Sequence, residues 1–435
     1  MQGLKEENRM FFIDDLINRI TDFECKKDNE TFAFQGFLKK DQWNVVLNAR
    51  IDIRQYRKIA QIQELVLCSS VCGKKITLEK CRIQQTTCIN DDAYAYVIIV
   101  PDEIIVGKNY QQNQAVKSVT MYSEALNGMF ENISMLYSGF DDPKGMHFER
   151  PIKASDECGE LLLYQENYLN KYERKLLSVI EYQCSSAMPL TKAIERIVLA
   201  RNLFAFFKNG YIPIENAVFT DEDEDSYDLW MNFHDDITVT SDAYIIRFSD
   251  FKNDFQRIWK NWLVLYKTAE PIMTLFYGIL CNNHAYIDAN CMLNISQAIE
   301  LYSRRYREKF AKGVAKEDEE NKSKNKDIHL IHRYIDVLSE YNSIFEMGDK
   351  DKIKKYAKAL ADIRNYYTHY NLRLVKPSYT ELFAAIYVLR YILLTIVYVQ
   401  IGIPSERILE CKKYCMFRQF NSYSEIVYHY KSQSS

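Results

Sequence analysis

The chain has 435 residues and a formal charge of −3 at pH 7, because 56 Lys and Arg oppose 59 Asp and Glu. Its 13 glycines and 8 prolines are far below average usage, which excludes collagen-like, glycine-linker and proline-rich disordered chains. Hydrophobic residues make up 47% of the sequence, so the chain can bury a sizeable core. The length corresponds to about two or three domains.

The charge is unevenly distributed along the chain. Between residues 301 and 376, 18 Lys and Arg oppose 12 Asp and Glu, so this stretch is basic and the remainder is acidic. Eleven cysteines without a C-x-x-C pair predict reduced thiols rather than a zinc centre, and we expect neither a metal nor a cofactor. The first twenty residues lack the apolar core of a signal peptide, so the expected location is the cytoplasm.

The N-terminal half contains short β-branched and aromatic runs separated by charged or Asn/Asp/Gly-containing breaks. This pattern predicts a β-sandwich or a barrel-like module. The predicted strands lie at 31–38, 43–51, 64–70, 75–81, 93–100, 117–123 and 160–165. A helix is predicted at 190–208, where Gly210 and Pro213 end the helical pattern.

From Phe251 onward the apolar period becomes helical. One predicted face consists of Ile295, Ile299, Tyr302, Tyr306 and Phe310, and the charged segment 311–327 predicts a flexible surface loop. Further helices are predicted near 328–346, 349–371, 379–402 and 405–417. The sequence therefore predicts an α+β multidomain chain, with a β-rich domain at 1–245 and an all-α helical bundle at 246–435.

Only the stretch 383–403 approaches the length of a membrane span. Arg390 lies near its middle and would cost about 2.5–3.5 kcal/mol at the centre of a bilayer. We therefore expect a buried helix with Arg390 reaching a polar edge, and no membrane partner.

The helix predicted at 349–371 contains the segment DIRNYYTHY. Its apolar stripe has residues spaced three and four apart: Ile353, Tyr356, Leu360, Ile363, Tyr367 and Tyr370. At about 100° per residue, Asp362, Asn365 and His369 fall on the opposite side, whereas Arg364 flanks the stripe. The pattern predicts that His369 faces solvent or a second subunit.

Residues of this face suit phosphodiester chemistry. Histidine moves protons near neutral pH, and arginine offers a planar fork to phosphate oxygens. Together they suit attack of an RNA 2′-hydroxyl on its neighbouring phosphate, with His369 moving a proton and Arg364 stabilising charge on phosphorus. Asn365 would orient the phosphate or the imidazole. The alternative is a solvated helix face without catalytic function.

The segment Arg364-Asn365-x-x-x-His369 resembles the R-N-x-x-x-H signature of HEPN-domain ribonucleases. Its surroundings are similar to the branch found in ApeA-type anti-phage (abortive infection) proteins. The similar segments are NISQAIELYSRRYREKF at 294–310, the helix and Gly-Ile-Pro turn at 381–408, the G-x-L strand at 36–38 and GKKITLEKC at 73–81. The resemblance covers nearly the whole chain, and its C-terminal motif is the more specific part.

This resemblance implies a metal-independent endoribonuclease. It implies a homodimer that joins two motifs in one cleft, cleavage of transfer RNA or messenger RNA to a cyclic phosphate, and growth arrest when a phage-derived trigger is sensed. The N-terminal domain would sense, regulate or position RNA. Glu300 would support the site from the neighbouring helix; the alternative is an ion pair with Arg304 one turn away.

Basic side chains on two helices are candidates for binding an RNA backbone, namely Arg304, Arg305, Lys354 and Lys355. Solvated helix faces are the alternative for this set. A competing function for the whole bundle is a non-catalytic HEPN module that binds RNA or regulates a protein partner. Cleavage of RNA in the presence of EDTA would separate the two functions.

Overall fold

The computed structural model describes residues 16–27, 30–41, 44–62, 65–71, 74–88, 93–108, 110–130, 151–169, 174–214, 216–231, 244–281, 288–317, 328–369, 374–414 and 419–430. The chain forms two compact units that interleave in sequence. The β-rich unit comprises Met1–Asn127, His147–Arg201 and Pro213–Ile237. The helical unit comprises Gly128–Met146, Asn202–Ile212 and Thr238–Ser435.

The described strands of the β-rich unit belong to one sheet. They are β1 (Ile20–Lys27), β2 (Glu30–Asp41), β3 (Asn44–Asp52), β4 (Leu65–Val71), β5 (Lys74–Cys88), β6 (Tyr94–Val100), β7 (Glu103–Gly107), β8 (Ala115–Ser123), β9 (Ile152–Ser155), β10 (Gly159–Leu169), β11 (Arg174–Pro189), β12 (Asn216–Asp221) and β13 (Ser226–Met231). Their order is β4-β1-β2-β3-β6-β5-β7-β13-β12-β8-β11-β10-β9, and neighbours in each described pair run antiparallel.

Six of these strands close into a barrel, because β4 pairs with β5 as well as with β1. The pairing between β1 and β4 is short: Glu24 opposes Cys68, and the Thr21 and Ser69 hydroxyls lie 2.9 Å apart. The long β5 pairs through its first half with β4 and β7, and through its second half with β6. It therefore belongs both to the barrel and to the sheet that continues from it.

The barrel interior is filled by the inward residues of alternating strands. Phe23, Leu47, Ile51, Leu78 and Ile99 are among the fully buried members of one apolar cluster. Because side chains alternate across a strand, the intervening residues of β2, β3 and β6 point away from this cluster. The predicted strand runs are thus confirmed, and the barrel alternative describes the module.

The described helices are mostly in the helical unit. They are α1 (Ile53–Ile59), α2 (Leu190–Lys208), α3 (Phe248–Phe251), α4 (Phe255–Cys281), α5 (Ala289–Tyr306), α6 (Glu308–Glu317), α7 (Leu330–Glu340), α8 (Asn342–Phe345), α9 (Lys350–His369), α10 (Tyr379–Ile401), α11 (Ser405–Tyr414) and α12 (Phe420–Tyr428), with a 3-10 helix at Glu124–Met129. A β-barrel-rich N-terminal region followed by a helical C-terminal region confirms the α+β fold class.

Two predictions around residue 310 are wrong. Helix α5 ends at Tyr306 rather than continuing, so Tyr306 and Phe310 are exposed instead of extending the buried stripe of Ile295, Ile299 and Tyr302. Part of the predicted loop is helix α6, because Ala311 and Ala315, four residues apart, are buried and provide an inner face that packs toward α7. Residues 318–327 of that loop lie outside the described residues.

Helix α10 forms the centre of the helical unit. It begins with a capping box between Ser378 and Glu381 and ends at Gly402, whose φ of +93° suits glycine. In the part of the chain that the structure describes, it is long and apolar enough for a membrane span, but 78% of its most apolar window is buried inside the protein. Arg390 reaches a polar partner, as expected: it donates to Oδ1 and the carbonyl oxygen of Asn209 at 2.7 and 2.9 Å.

Candidate functional site

Helix α9 carries the R-N-x-x-x-H segment. Asp349 accepts a hydrogen bond from the backbone of Lys352 at 2.9 Å and so satisfies a free amide of the first turn. The predicted apolar stripe is buried at Ile353, Tyr356, Leu360 and Ile363, half-buried at Tyr367, and outside the described residues at Tyr370. The helix contacts α5, α7, α10 and α12 through this side.

The three motif residues lie in the last two turns of α9. His369 is the final helical residue and is exposed, whereas Arg364 and Asn365 are half-buried, as is Asp362 one turn earlier. An Arg364 terminal nitrogen donates to Oδ1 of Asn365 at 3.2 Å, and Thr368 donates to the Arg364 carbonyl oxygen at 3.0 Å. The motif therefore presents an accessible imidazole beside a guanidinium that the protein partly encloses.

Glu300 on α5 lies between two arginines. Its Oε2 is 3.9 Å from a terminal nitrogen of Arg364, and its Oε1 accepts from Arg304 at 2.7 Å. The carboxylate thus lies close to both arginines, and its support of a catalytic site stays a prediction. The Arg364 and Glu300 side chains are only 22% and 20% exposed, so their attraction is less screened than that of the Arg304 pair, whose arginine is 58% exposed.

Two buried residues with hydroxyl side chains, Ser296 and Tyr334, were not identified from the sequence. Burial raises the pKa of Tyr334 on α7, while the Ser296 hydroxyl and the Arg364 charge act in the opposite direction and Glu300 adds to the rise. Ser296 lies one turn before Glu300 on α5, so the four-residue spacing was a usable signal. Tyr334 resembles any core tyrosine in sequence, and only the packing of α7 shows its position.

Tyrosines surround the end of α9. Tyr366 and Tyr367 make an edge-to-face contact with centroids 5.1 Å apart, and Tyr430 donates to the Val375 carbonyl oxygen at 2.6 Å. Burial, followed by the charge of Asp362, raises the pKa of Tyr430 to about 12. Tyr430 is therefore neutral at physiological pH and acts as a hydrogen-bond donor rather than as a base.

The four candidate RNA-binding cations are exposed, but they also have partners within the protein. Arg304 pairs with Glu300, and a terminal nitrogen of Arg305 donates to the Thr268 carbonyl oxygen. The Lys355 ammonium lies 4.0 Å from the ring centroid of Tyr428, and Lys354 is exposed on the same helix. Binding of RNA by these four residues stays a prediction. Among the described residues, no group of three or more His, Cys, Asp or Glu could hold a metal ion.

Arg364 has the chemistry for binding a phosphate, but part of its donor capacity is directed inward. Its Nε is buried and has no hydrogen-bond partner among the described residues, while its two terminal nitrogens face Asn365 and Glu300. A bound phosphate would compete with those neighbours for the guanidinium. Glu300 and Asn365 therefore restrict the orientations that Arg364 can adopt.

A comparison with known protein families gives a match in the helical region that carries the motif. Residues 293–407 match the family model described as Apea-like HEPN, which spans α5 to the start of α11 and so includes Glu300, Arg364 and His369. No curated protein and no solved structure matches the chain. The match confirms the resemblance of the helical region to an ApeA-type HEPN domain, and the similarity of the N-terminal half stays a prediction.

Proposed function

We propose that this chain, which carries an Apea-like HEPN domain of a family of anti-phage nucleases, is a metal-independent endoribonuclease. The observation that supports this function best is the arrangement on α9, where the exposed His369 follows Arg364 and the Glu300 carboxylate lies 3.9 Å from that arginine. The three groups supply a proton carrier, a phosphate-binding cation and an anion that orients the cation.

The proposed reaction is an internal transfer at one phosphodiester. The RNA 2′-oxygen bonds to phosphorus while the bond from phosphorus to the 5′-oxygen breaks, which leaves a 2′,3′-cyclic phosphate and a 5′-hydroxyl. His369 accepts the proton of the 2′-hydroxyl or gives a proton to the leaving oxygen. Arg364 stabilises the negative charge that grows on the phosphoryl oxygens, and Asn365 orients the phosphate or the imidazole.

The proposed active form is a homodimer. The reaction requires one group to accept a proton and another to give one, whereas the R-N-x-x-x-H segment supplies one histidine per chain. A two-fold interface along the exposed end of α9 would bring two His369 side chains to one phosphate. Light scattering then gives twice the 51.4 kDa chain mass, and a species of 51.4 kDa alone would eliminate the composite site.

Cleavage of purified total RNA, with transfer RNA and messenger RNA resolved separately, tests this function. In EDTA, wild type cleaves, while His369→Ala loses about 100- to 10,000-fold in rate because an acid–base group is removed. Arg364→Ala loses about 100- to 1,000-fold because the charge on the phosphoryl oxygens is no longer stabilised. His429→Ala is the matched control, because that histidine is 71% exposed and pairs with Glu425 rather than with a residue of the motif. Full cleavage by His369→Ala refutes the mechanism.

In cells, we propose that cleavage stops growth after a phage-derived trigger is sensed. Expression of wild type during infection then arrests growth, and the His369→Ala variant does not. Purified protein that cleaves RNA only with lysate of infected cells supports a trigger, while equal cleavage with uninfected lysate contradicts it.

A second candidate, a non-catalytic RNA-binding module, is favoured by one observation. The Arg364 guanidinium is largely enclosed and contacts Asn365 and Glu300, which is also what a structural arginine would do. This module binds RNA with an affinity that falls with salt, because accessible Lys and Arg displace counterions. Salt-dependent binding without cleavage, in EDTA and with added divalent metals, identifies it.

A further inference from the structure

The outer face of the barrel carries a groove that the HEPN chemistry does not use. It has a volume of about 500 Å³ and is lined by residues of β1, β2, β3, β5 and β6. The strand register builds it from two cross-strand rows. One row is Phe37, Asn48, Ile98 and Gln85, and the next is Gln35, Arg50, Tyr96 and Thr87.

Apolar side chains are exposed at this groove and its rim. Among the described residues of the β-rich unit, the exposed large hydrophobic side chains are Ile20, Tyr94 and Tyr96, at 76%, 38% and 43%. Ile20 and Tyr96 line the groove, and Tyr94 precedes Tyr96 by two residues on the same face of β6. A cluster of this kind indicates a binding surface rather than scattered surface residues.

The polar groups of the groove suit a base and a phosphate. Gln35, Asn48 and Gln85 supply amide donors and acceptors, and the side-chain nitrogen of Asn48 is buried without a hydrogen-bond partner in the described part of the chain. Arg50 is the charged residue of the lining, and its guanidinium lies 3.9 Å from the Tyr94 ring centroid. This stacking holds the cation beside the aromatic surface.

Arg50 places a positive charge at the centre of the groove, and charges of both signs border it. Lys39 follows Phe37 on the same face of β2, so it adds a cation at one end. Asp22 opposes Gln35 from β1 and Asp52 opposes Tyr94 from β3, so two carboxylates border the second row without lining the groove. A ligand that stacks on Tyr96 therefore meets Arg50 as the nearest lining charge, which favours an anionic strand.

We propose that this groove binds single-stranded RNA, with a base stacked on Tyr96, neighbouring base edges hydrogen-bonded to Asn48 and Gln35, and a backbone phosphate on Arg50. Aromatic rings and guanidinium groups bind unpaired bases in this way, since every base has a face that can stack. A duplex hides those faces. The biological role of this groove rests on the proposed ribonuclease function, because the groove would select the unpaired RNA that is offered to the HEPN domain.

Binding measured in the full chain tests the proposal. The parent is His369→Ala, so that the probe is not consumed, and the probes are fluorescein-labelled oligouridylate and oligoadenylate of about ten nucleotides. Tyr96→Ala weakens binding by about 5- to 100-fold, as loss of one stacking ring does, whereas Tyr96→Phe retains it. Arg50→Gln lowers the slope of log affinity against log salt by about 0.7, and Lys192→Gln, which removes a cation from α2, changes neither quantity by more than about twofold.

Folding of each variant is checked by thermal unfolding. Because Tyr96 is exposed, its substitution should leave the unfolding temperature near that of the parent. Parent-like affinity in both Tyr96→Ala and Arg50→Gln overturns the proposal, as does a duplex of equal length that binds equally well. Competition by uridine monophosphate at equal base concentration would assign the groove to a free nucleotide instead of a strand. If the groove binds RNA and wild type still cleaves none, even with lysate of infected cells, the ribonuclease function fails and this inference stands.

Discussion

Replacing Glu300 with glutamine separates its two roles. At 3.9 Å, the attraction between Glu300 and Arg364 is about 1 kcal/mol in water and about 4 kcal/mol at an effective dielectric of 20. Both side chains are about one-fifth exposed, so we take an effect of about 1–2 kcal/mol after the loss of solvation. If Glu300 orients Arg364 in the transition state, Glu300→Gln removes this effect and slows RNA cleavage by about 5- to 30-fold.

Arg304→Gln is the matched control, because it removes the other partner of the same carboxylate. Arg304 is 58% exposed and pairs at i,i+4, so its loss lowers the free energy of unfolding by about 0.3–0.5 kcal/mol. Because Arg304 is also a candidate RNA-binding cation, we expect the cleavage rate of this variant to stay within about twofold of wild type only at saturating RNA, where Arg364 keeps its carboxylate. The single-turnover rate at saturating RNA is the measurement, alongside denaturant unfolding.

Equal slowing of cleavage by Glu300→Gln and Arg304→Gln would refute this reasoning. That result would mean that the ion pair within α5 is what matters and that the contact with Arg364 is incidental. Slowing by Glu300→Gln with no change in RNA affinity supports orientation of Arg364, because uniform binding would change the affinity instead.

Two further predictions concern stability. Burial, opposed by the Tyr110 hydrogen bond and reinforced by Glu103, raises the pKa of Glu79, so the folded protein holds that proton more tightly and stability falls as pH rises through the raised pKa. Glu79→Gln should therefore raise the unfolding temperature at pH 7 and flatten its pH dependence in thermal unfolding, and an unchanged pH profile contradicts the assignment. Arg390→Met should lower the free energy of unfolding by about 2–4 kcal/mol in urea, because two acceptor groups of Asn209 lose a charged donor, and a change below about 0.5 kcal/mol would show that water replaces the arginine.

Elements with a strong local signal were predictable from the sequence. Helix α2 begins and ends where predicted, at Leu190 and Lys208, and α10 is one residue shorter than predicted because Gly402 takes the left-handed conformation that ends it. The sequence did not predict six of the described strands, namely β1, β7, β9, β11, β12 and β13. Strands β12 and β13 have six residues each, and the acidic turn between them resembles a loop. Closure of the barrel depends on pairing between distant strands, which the runs themselves do not specify.

The candidate site was predictable in part for a related reason. Arg364 and His369 share one helix, so their spacing in sequence fixes their spacing in space. Glu300 comes from another helix, and only the packing of α5 on α9 shows that it contacts Arg304 and Arg364 at once. The enclosure of Arg364 also depends on tertiary packing, because the helical period places it at the edge of the apolar stripe.

Strand β5 belongs both to the barrel and to the sheet that continues from it, and this limits where the chain can be cut into fragments. A fragment ending at Val100 keeps the six barrel strands but removes β7, which pairs with Lys75–Glu79 on β5. That fragment would present an open strand edge to other molecules, and such an edge promotes association between chains. Keeping the neighbouring strand Glu103–Gly107 covers β5 but leaves β7 open on its other side, where β13 pairs with it in the whole chain. A truncation that precipitates would therefore report on an exposed edge rather than on the groove proposed to bind RNA.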